Sequence, residues 1–260
     1  MYPNEIIWGI DLYVVMLCVA SISAMLVYRM LADKLCLGAD LQNLCLFGAV
    51  AAILSGYGSA VLFQAIYNIP KNGGLVLNAS TGATFYGGLI GGAAVFLAVY
   101  FIVGYFLFKE SREHIKYFWS IAGIGAACIA VAHGFGRIGC LMAGCCHGKV
   151  TDAWYGVYMK GIGQKVVPIQ LFEAIVLFAL FGLFLVRALK GKHYNLSLYM
   201  TVYGIWRFLI EYVRDDYRGY TFVSFLTPSQ LTAIIMILGA VIVFAVEKRF
   251  CQRNDTYDKD

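Results

Sequence analysis

Phe118-Trp-Ser-Ile-Ala-Gly-Ile-Gly-Ala-Ala-Cys-Ile-Ala-Val-Ala132, running directly into His133-Gly-Phe-Gly-Arg137-Ile-Gly-Cys140-Leu-Met-Ala-Gly-Cys145-Cys146-His147-Gly-Lys149, decides how the whole chain is read. The first part is an apolar run long enough to enter a membrane. The second packs five glycines, two histidines, three cysteines, an arginine and a lysine into seventeen positions. Glycines permit close backbone approach, and the other side chains supply charge, thiolate or imidazole. Chemistry is therefore expected here, at the end of a membrane span.

Outward from this stretch the same apolar character recurs. The chain is 61% hydrophobic and 13% charged, with a mean hydropathy of +0.74. Its apolar residues fall in blocks of about 15 to 25, the length that crosses a hydrocarbon core of about 30 Å. A lone secretory signal does not explain blocks spread over the whole length. The fold class that follows is all-α: a polytopic membrane protein with seven spans at about 6–28, 41–66, 84–108, 117–136, 168–188, 196–212 and 227–247. Residues 1–250 read as a single transmembrane domain and 251–260 as a short cytoplasmic tail. The net charge of +5 is scattered, with no basic stripe interleaved with aromatics, which excludes a nucleic-acid partner.

Orientation follows from the loop cations. One side carries Arg29, Lys34, Lys109, Arg112, Lys116, Arg187, Lys190, Lys192, Lys248, Arg249, Arg253 and Lys259. The other has Lys71, Arg137, Lys149, Lys160, Lys165, Arg214 and Arg218, spread over longer loops. The positive-inside rule puts the N-terminus out and the C-terminus in, with the cysteine-rich stretch near the outer face. The loop from about 137 to 167 carries Trp154, Tyr155 and Tyr158, side chains suited to the headgroup level. Pro168 opens the fifth helix, Thr227-Pro228-Ser229-Gln230 reads as a capped helix start, and Gly87-Gly88-Leu-Ile-Gly91-Gly92 is a surface for close helix packing.

Charges inside the spans carry the functional signal, because each costs at least about 2.5–3.5 kcal/mol to insert. Arg207, Glu211 and Arg214 are spaced i, i+4, i+7 and share one helix face. One carboxylate cannot neutralise two guanidiniums, so a further anion is expected. Arg137 and Glu173 are candidates for the same cavity, and Asp11 either snorkels or pairs locally. Arginine suits forked recognition of a phosphate, and phospholipid headgroups lie at hand. The alternative is a buried ion-pair network that only joins helices.

Taken in order, Tyr86-Gly-Gly-Leu-Ile-Gly, His133-Gly-Phe-Gly-Arg137-Ile-Gly, Pro168-x-Gln-Leu-x-Glu173, and Arg207-Phe-x-x-x-Glu211-x-x-Arg214 followed by Ser229-Gln230 resemble the prolipoprotein diacylglyceryl transferase family over nearly the whole chain. The resemblance implies a bacterial inner-membrane transferase that uses no cofactor and no metal, with its active site toward the outer face. It implies that a diacylglyceryl group passes from phosphatidylglycerol to the lipobox cysteine of a preprolipoprotein, releasing glycerol 1-phosphate. It further implies functional roles for Arg137, Arg207 and Glu211; with Tyr86 at the family's histidine position and His133 as its nearest replacement these form the candidate catalytic set, and Arg137, Cys140, Arg207, Arg214 and Glu173 are the candidate headgroup pocket.

The chain also departs from that family. Tyr86 stands where a histidine is usual, and tyrosine, with an ordinary pKa of about 10, is a poor base at neutral pH. His133 is the nearest replacement, four residues before Arg137. Cys140, Ala143 and Cys145 stand where two asparagines and a glutamate are usual, Tyr57 and Val166 where arginines are. Cys140, Cys145, Cys146 and His147 admit a disulfide, a metal site, a covalent carrier thiol or plain packing. Three rival functions follow: the same fold with a different acceptor, a thiol-redox or metal-handling protein built on these four residues, and a non-catalytic lipid-binding protein.

Overall fold

The computed structural model describes residues 11–69, 73–78, 81, 85–215 and 225–257; the side chains of residues 67, 85, 86 and 253–257 lie outside the description. The chain is predominantly helical, as a polytopic membrane protein requires, and it divides into two compact units. One comprises Met1–Lys34 and Trp119–Asp260, the other Leu35–Phe118.

The Leu35–Phe118 unit contains α2 (Ala39–Tyr67), α3 (Phe85–Leu107) and a single-turn helix, α4 (Glu113–Lys116). The expected glycine surface forms the α2–α3 contact. A Cβ on Gly56 would meet the Gly88 carbonyl at 3.0 Å, and one on Gly92 would meet the Ala52 carbonyl at 3.0 Å. Only hydrogen at these positions lets the two backbones approach, and in lipid that close packing holds helices together. Below them, Tyr100 donates a hydrogen bond to the His114 carbonyl and buries both rings.

The other unit contains α1 (Leu12–Lys34), α5 (Phe118–Ala143, counted from Trp119), α6 (Ile169–Leu189), α7 (Asn195–Ile210) and α8 (Pro228–Tyr257). Asp11 resolves into a local role: its side chain accepts from the Val14 amide at 2.8 Å and caps α1. At the start of α8, Thr227 and Gln230 exchange reciprocal side-chain to backbone hydrogen bonds at 3.2 Å, a capping box around Pro228.

Six helices among the described residues are long and apolar enough to cross a membrane. The seventh expected span, 196–212, appears as the 16-residue α7 followed by a tight turn at Glu211–Val213. Sixteen residues rise about 24 Å, short of the hydrocarbon thickness, so the turn at Glu211 finishes the layer with polar groups rather than apolar helix.

The largest departure from the sequence reading is α5. The span expected to end at residue 136 continues to Ala143, so Arg137 and Cys140 are helical rather than in a loop. The glycines do not break it because they serve packing: Gly134 lies against Phe178, and Gly139 against Tyr13 and Met16 of α1. The helix ends at Gly144, whose φ of +74° places it in the left-handed region. Gly144 N–H bonds the Leu141 carbonyl and Cys145 N–H the Cys140 carbonyl, the paired hydrogen bonds of a Schellman stop.

Beyond this stop a small cover folds over the bundle end. Strands β1 (Val157–Met159) and β2 (Gln164–Val166) form an antiparallel hairpin. The segment at Gly148–Thr151 pairs alongside β2 and Val167, and Lys149 N–H reaches the Val213 carbonyl after α7. Met159 and Val166 bury against Leu141, while Val167 buries against Ile169 and Ile210. Trp154, 93% exposed, projects from the cover beside Tyr155.

Candidate active site

Beneath the cover, α5, α6 and α7 bring their charged residues together. Arg137 of α5 pairs with Glu173 of α6 through Nε and Oε2 at 2.9 Å, and the Glu173 side chain is fully buried. On α7, Arg207 Nη2 contacts Glu211 Oε2 at 2.9 Å and Ser229 Oγ of α8 at 2.7 Å. Arg214 Nε stands 3.7 Å from the same Glu211 oxygen. Thr227, the α8 cap, donates its hydroxyl to Glu211 Oε1 at 3.0 Å. The predicted spacing of Arg207, Glu211 and Arg214 on one face is thus realised, although the backbone tightens at Glu211.

Arg137, Glu173, Arg207, Glu211 and Arg214 are all buried, and among them positive charge exceeds negative by one. The polar atom that stands out is Arg207 Nη1. It is buried and has no hydrogen-bond partner among the described residues. A guanidinium N–H left so costs about 1–3 kcal/mol or more unless a ligand accepts from it.

Tyr203, absent from the sequence reading, joins the groups. Its hydroxyl donates to Glu173 Oε1 at 2.6 Å and lies 3.4 Å from His133 Nε2, with the two rings edge to face at 4.9 Å. The signal was present: Tyr203 precedes Arg207 by four residues, so it begins the same helical stripe that Glu211 ends. His133 and Arg137 share a face of α5 as expected. Gln170, one turn before Glu173, is also new to the site. Fully buried, it donates to the Cys145 carbonyl, while its Oε1 has no partner among the described residues.

The sulfur atoms of Cys140, Cys145 and Cys146 lie within 4.8 Å of one another, with no bond between any two of them. Cys140 follows Arg137 by one turn of α5. Cys146 adopts a φ of +61°, unusual for a side chain with a Cβ. In the free thiol set Cys145 shares a hydrogen bond with Cys140 that lowers its pKa, but its bond with Cys146 and its partial burial prevail and hold it above the ordinary thiol value. His147 stands apart, with Nδ1 3.1 Å from the Gly148 carbonyl. Tyr86 opens α3 in the other unit, and its side chain lies outside the described residues.

The arrangement can hold a phosphate against guanidinium groups in a dry setting and exclude water from a reacting carbon. Comparison with known proteins agrees in kind. The family model for prolipoprotein diacylglyceryl transferase matches residues 5–246. The phosphatidylglycerol–prolipoprotein diacylglyceryl transferase 2 of Clostridium perfringens is 34% identical over 64% of this chain and 63% of its own length, so the match spans a little under two thirds of that relative. The phosphatidylglycerol–prolipoprotein diacylglyceryl transferase of Clostridium tetani is 30% identical over 79% of this chain and 80% of its own. That of Francisella tularensis subsp. novicida is 32% identical over 78% and 75%. With a match that reaches from before the first helix into the last, the chain belongs to the prolipoprotein diacylglyceryl transferase family.

Proposed function

We propose that this protein transfers the diacylglyceryl group of phosphatidylglycerol to a lipobox cysteine of prolipoproteins at the outer face of the bacterial cytoplasmic membrane, with its N-terminus out and C-terminus in. The observation that carries the reading is the buried Arg207 Nη1, unpartnered among the described residues and one helical turn from Tyr203, whose hydroxyl reaches the Arg137–Glu173 pair. An anionic phosphodiester supplies the acceptor that this guanidinium lacks.

In this reading Arg207 and Arg137 clamp the phosphate and stabilise the charge it gains as it leaves. Glu173 holds the Arg137 guanidinium by one edge, and Glu211, Ser229 and Thr227 hold Arg207, so both forks are oriented before the lipid arrives. Arg214 adds positive potential from the end of the same helix. Tyr203 positions Glu173 and orients His133 on the neighbouring helix. The printed names of the relatives include phosphatidylglycerol and prolipoprotein, which supports this choice of donor and acceptor.

The test is transfer by purified protein in phosphatidylglycerol vesicles with labelled acyl chains and a lipobox peptide. Label on the peptide cysteine with release of glycerol phosphate is expected, and Arg137→Ala should abolish both. Failure of folded wild-type protein to label the peptide would sink the reading.

A further inference from the structure

The reaction proposed above needs the acceptor sulfur as thiolate, because a neutral thiol is a weak nucleophile. The buried groups nearest the arginines are already engaged: Glu173 pairs with Arg137 and accepts from Tyr203, and Tyr203 meets His133. One turn beyond Arg137 on the same helix stand three convergent thiols with no assigned task.

We propose that Cys140, Cys145 and Cys146 bind a zinc ion as a three-thiolate site whose fourth position takes the acceptor thiol and presents it as thiolate to the lipid. This rests on the transferase reading and adds to it how the acceptor sulfur is activated.

Four observations carry the assignment. First, the three sulfur atoms lie within 4.8 Å of one another, about 1 Å more than the roughly 3.8 Å between thiolates around one tetrahedral zinc, a difference that rotation about the Cα–Cβ bonds closes. Second, the backbone bends specifically to gather them. The Schellman stop at Gly144 turns the chain back, and Cys146 takes a left-handed conformation that costs about 1–2 kcal/mol. Third, buried Gln170 fixes the Cys145 carbonyl and so ties the turn to α6 beside Glu173. Fourth, no further protein ligand joins the three thiols among the described residues. His147 faces its neighbour's carbonyl instead, and Cys145 is exposed, so an incoming thiol has access. Three protein ligands with a vacant fourth position is the pattern of a catalytic zinc, whereas structural sites are closed.

The chemistry balances without a redox partner. Zinc binds the acceptor sulfur, whose proton passes to solvent, since a coordinated thiol is deprotonated. The sulfur lone pair then attacks the terminal glyceryl carbon of phosphatidylglycerol. The bond from that carbon to the phosphate oxygen breaks, and its electron pair leaves with glycerol phosphate against Arg137 and Arg207. The product thioether is neutral, binds zinc weakly, and gives way to water.

The test uses the full-length protein in detergent. Elemental analysis is expected to find one zinc per chain, lost in Cys140→Ser, Cys145→Ser and Cys146→Ser and kept in Cys18→Ser. Chelation of wild-type protein should abolish transfer, with rescue by added zinc. Cobalt in place of zinc should show thiolate-to-cobalt absorption that shifts on adding a lipobox peptide and not its serine counterpart. Absence of metal, copper in place of zinc, a disulfide within the triad, or a cobalt spectrum blind to the thiol peptide would each overturn the proposal. Undiminished transfer by the zinc-free protein would also overturn it while leaving the transferase reading intact. Zinc binding with a thiol-dependent shift but no transfer would support the site and sink the transferase reading.

Discussion

Replacing Arg207 by lysine isolates the forked contact from the charge. In the wild type, Arg207 spends Nη2 on Glu211 at 2.9 Å and Ser229 at 2.7 Å, and keeps Nη1 for a ligand. A lysine at the same position can still reach Glu211 one turn away, so the ion pair and the helix survive. Its single ammonium cannot also supply the second donor that the guanidinium presents in a fixed fork. The loss is one charge-assisted hydrogen bond to phosphate, about 1.5–3 kcal/mol. If that bond strengthens as the phosphate leaves, kcat/KM should fall by about 10- to 150-fold with only a small change in melting temperature. The assay is peptide labelling at sub-saturating phosphatidylglycerol, beside thermal unfolding in the same detergent. Activity within about twofold of wild type in a stable Arg207→Lys protein would refute the clamp, because two-donor recognition would then contribute less than about 0.4 kcal/mol.

Three further outcomes follow from the same geometry. Tyr203→Phe removes the only hydroxyl shown donating to Glu173 and should cost about 1.5–3 kcal/mol in detergent unfolding, with a matching fall in transfer. Gly88→Leu places a side chain where a Cβ alone meets the Gly56 carbonyl at 3.3 Å, and should lower stability by about 1–3 kcal/mol or more, read as a lower thermal midpoint. His114, buried beside Tyr100 and near Arg112, has its pKa lowered first by burial and then by that arginine. Unfolding then takes up a proton as pH falls through the ordinary histidine value of 6.5, so stability holds above it and declines below it. Thermal midpoints on either side of that pH should separate, and His114→Phe should remove part of the separation.

How much of this was legible in the sequence differs from element to element. Arg207, Glu211 and Arg214 announced their shared face by spacing alone, because helix periodicity and the cost of charge in lipid act at the level of the sequence. Thr227 and Gln230 announced the start of α8 for the same local reason. Tyr203 was hidden among eighteen tyrosines, where an aromatic residue in an apolar helix looks like packing until its hydroxyl is seen on Glu173. The end of α5 was misjudged because glycines that weaken an isolated helix are, in a bundle, the positions where Phe178 and Tyr13 press close. The thiol cluster was legible as a candidate, but its convergence and the exclusion of His147 from it were not. It depends on two left-handed residues, Gly144 and Cys146, and the chain spacing of the cysteines fits no standard ligand pattern.

The extension of α5 matters beyond its boundary. Were the helix to stop at residue 136, Arg137 and Cys140 would lie on separate parts of a loop, and no fixed distance would relate phosphate clamp and thiols. As built, they are three residues apart on one helix face, with Glu173 and Gln170 matching that spacing on α6. Each helix contributes one residue toward the arginine and one toward the cysteines. A displacement needs its leaving group and its nucleophile on opposite sides of one carbon, held to within a fraction of an ångström. Two helices braced against each other through an ion pair at one level and a buried amide at the next are suited to hold that relation, where a loop is not.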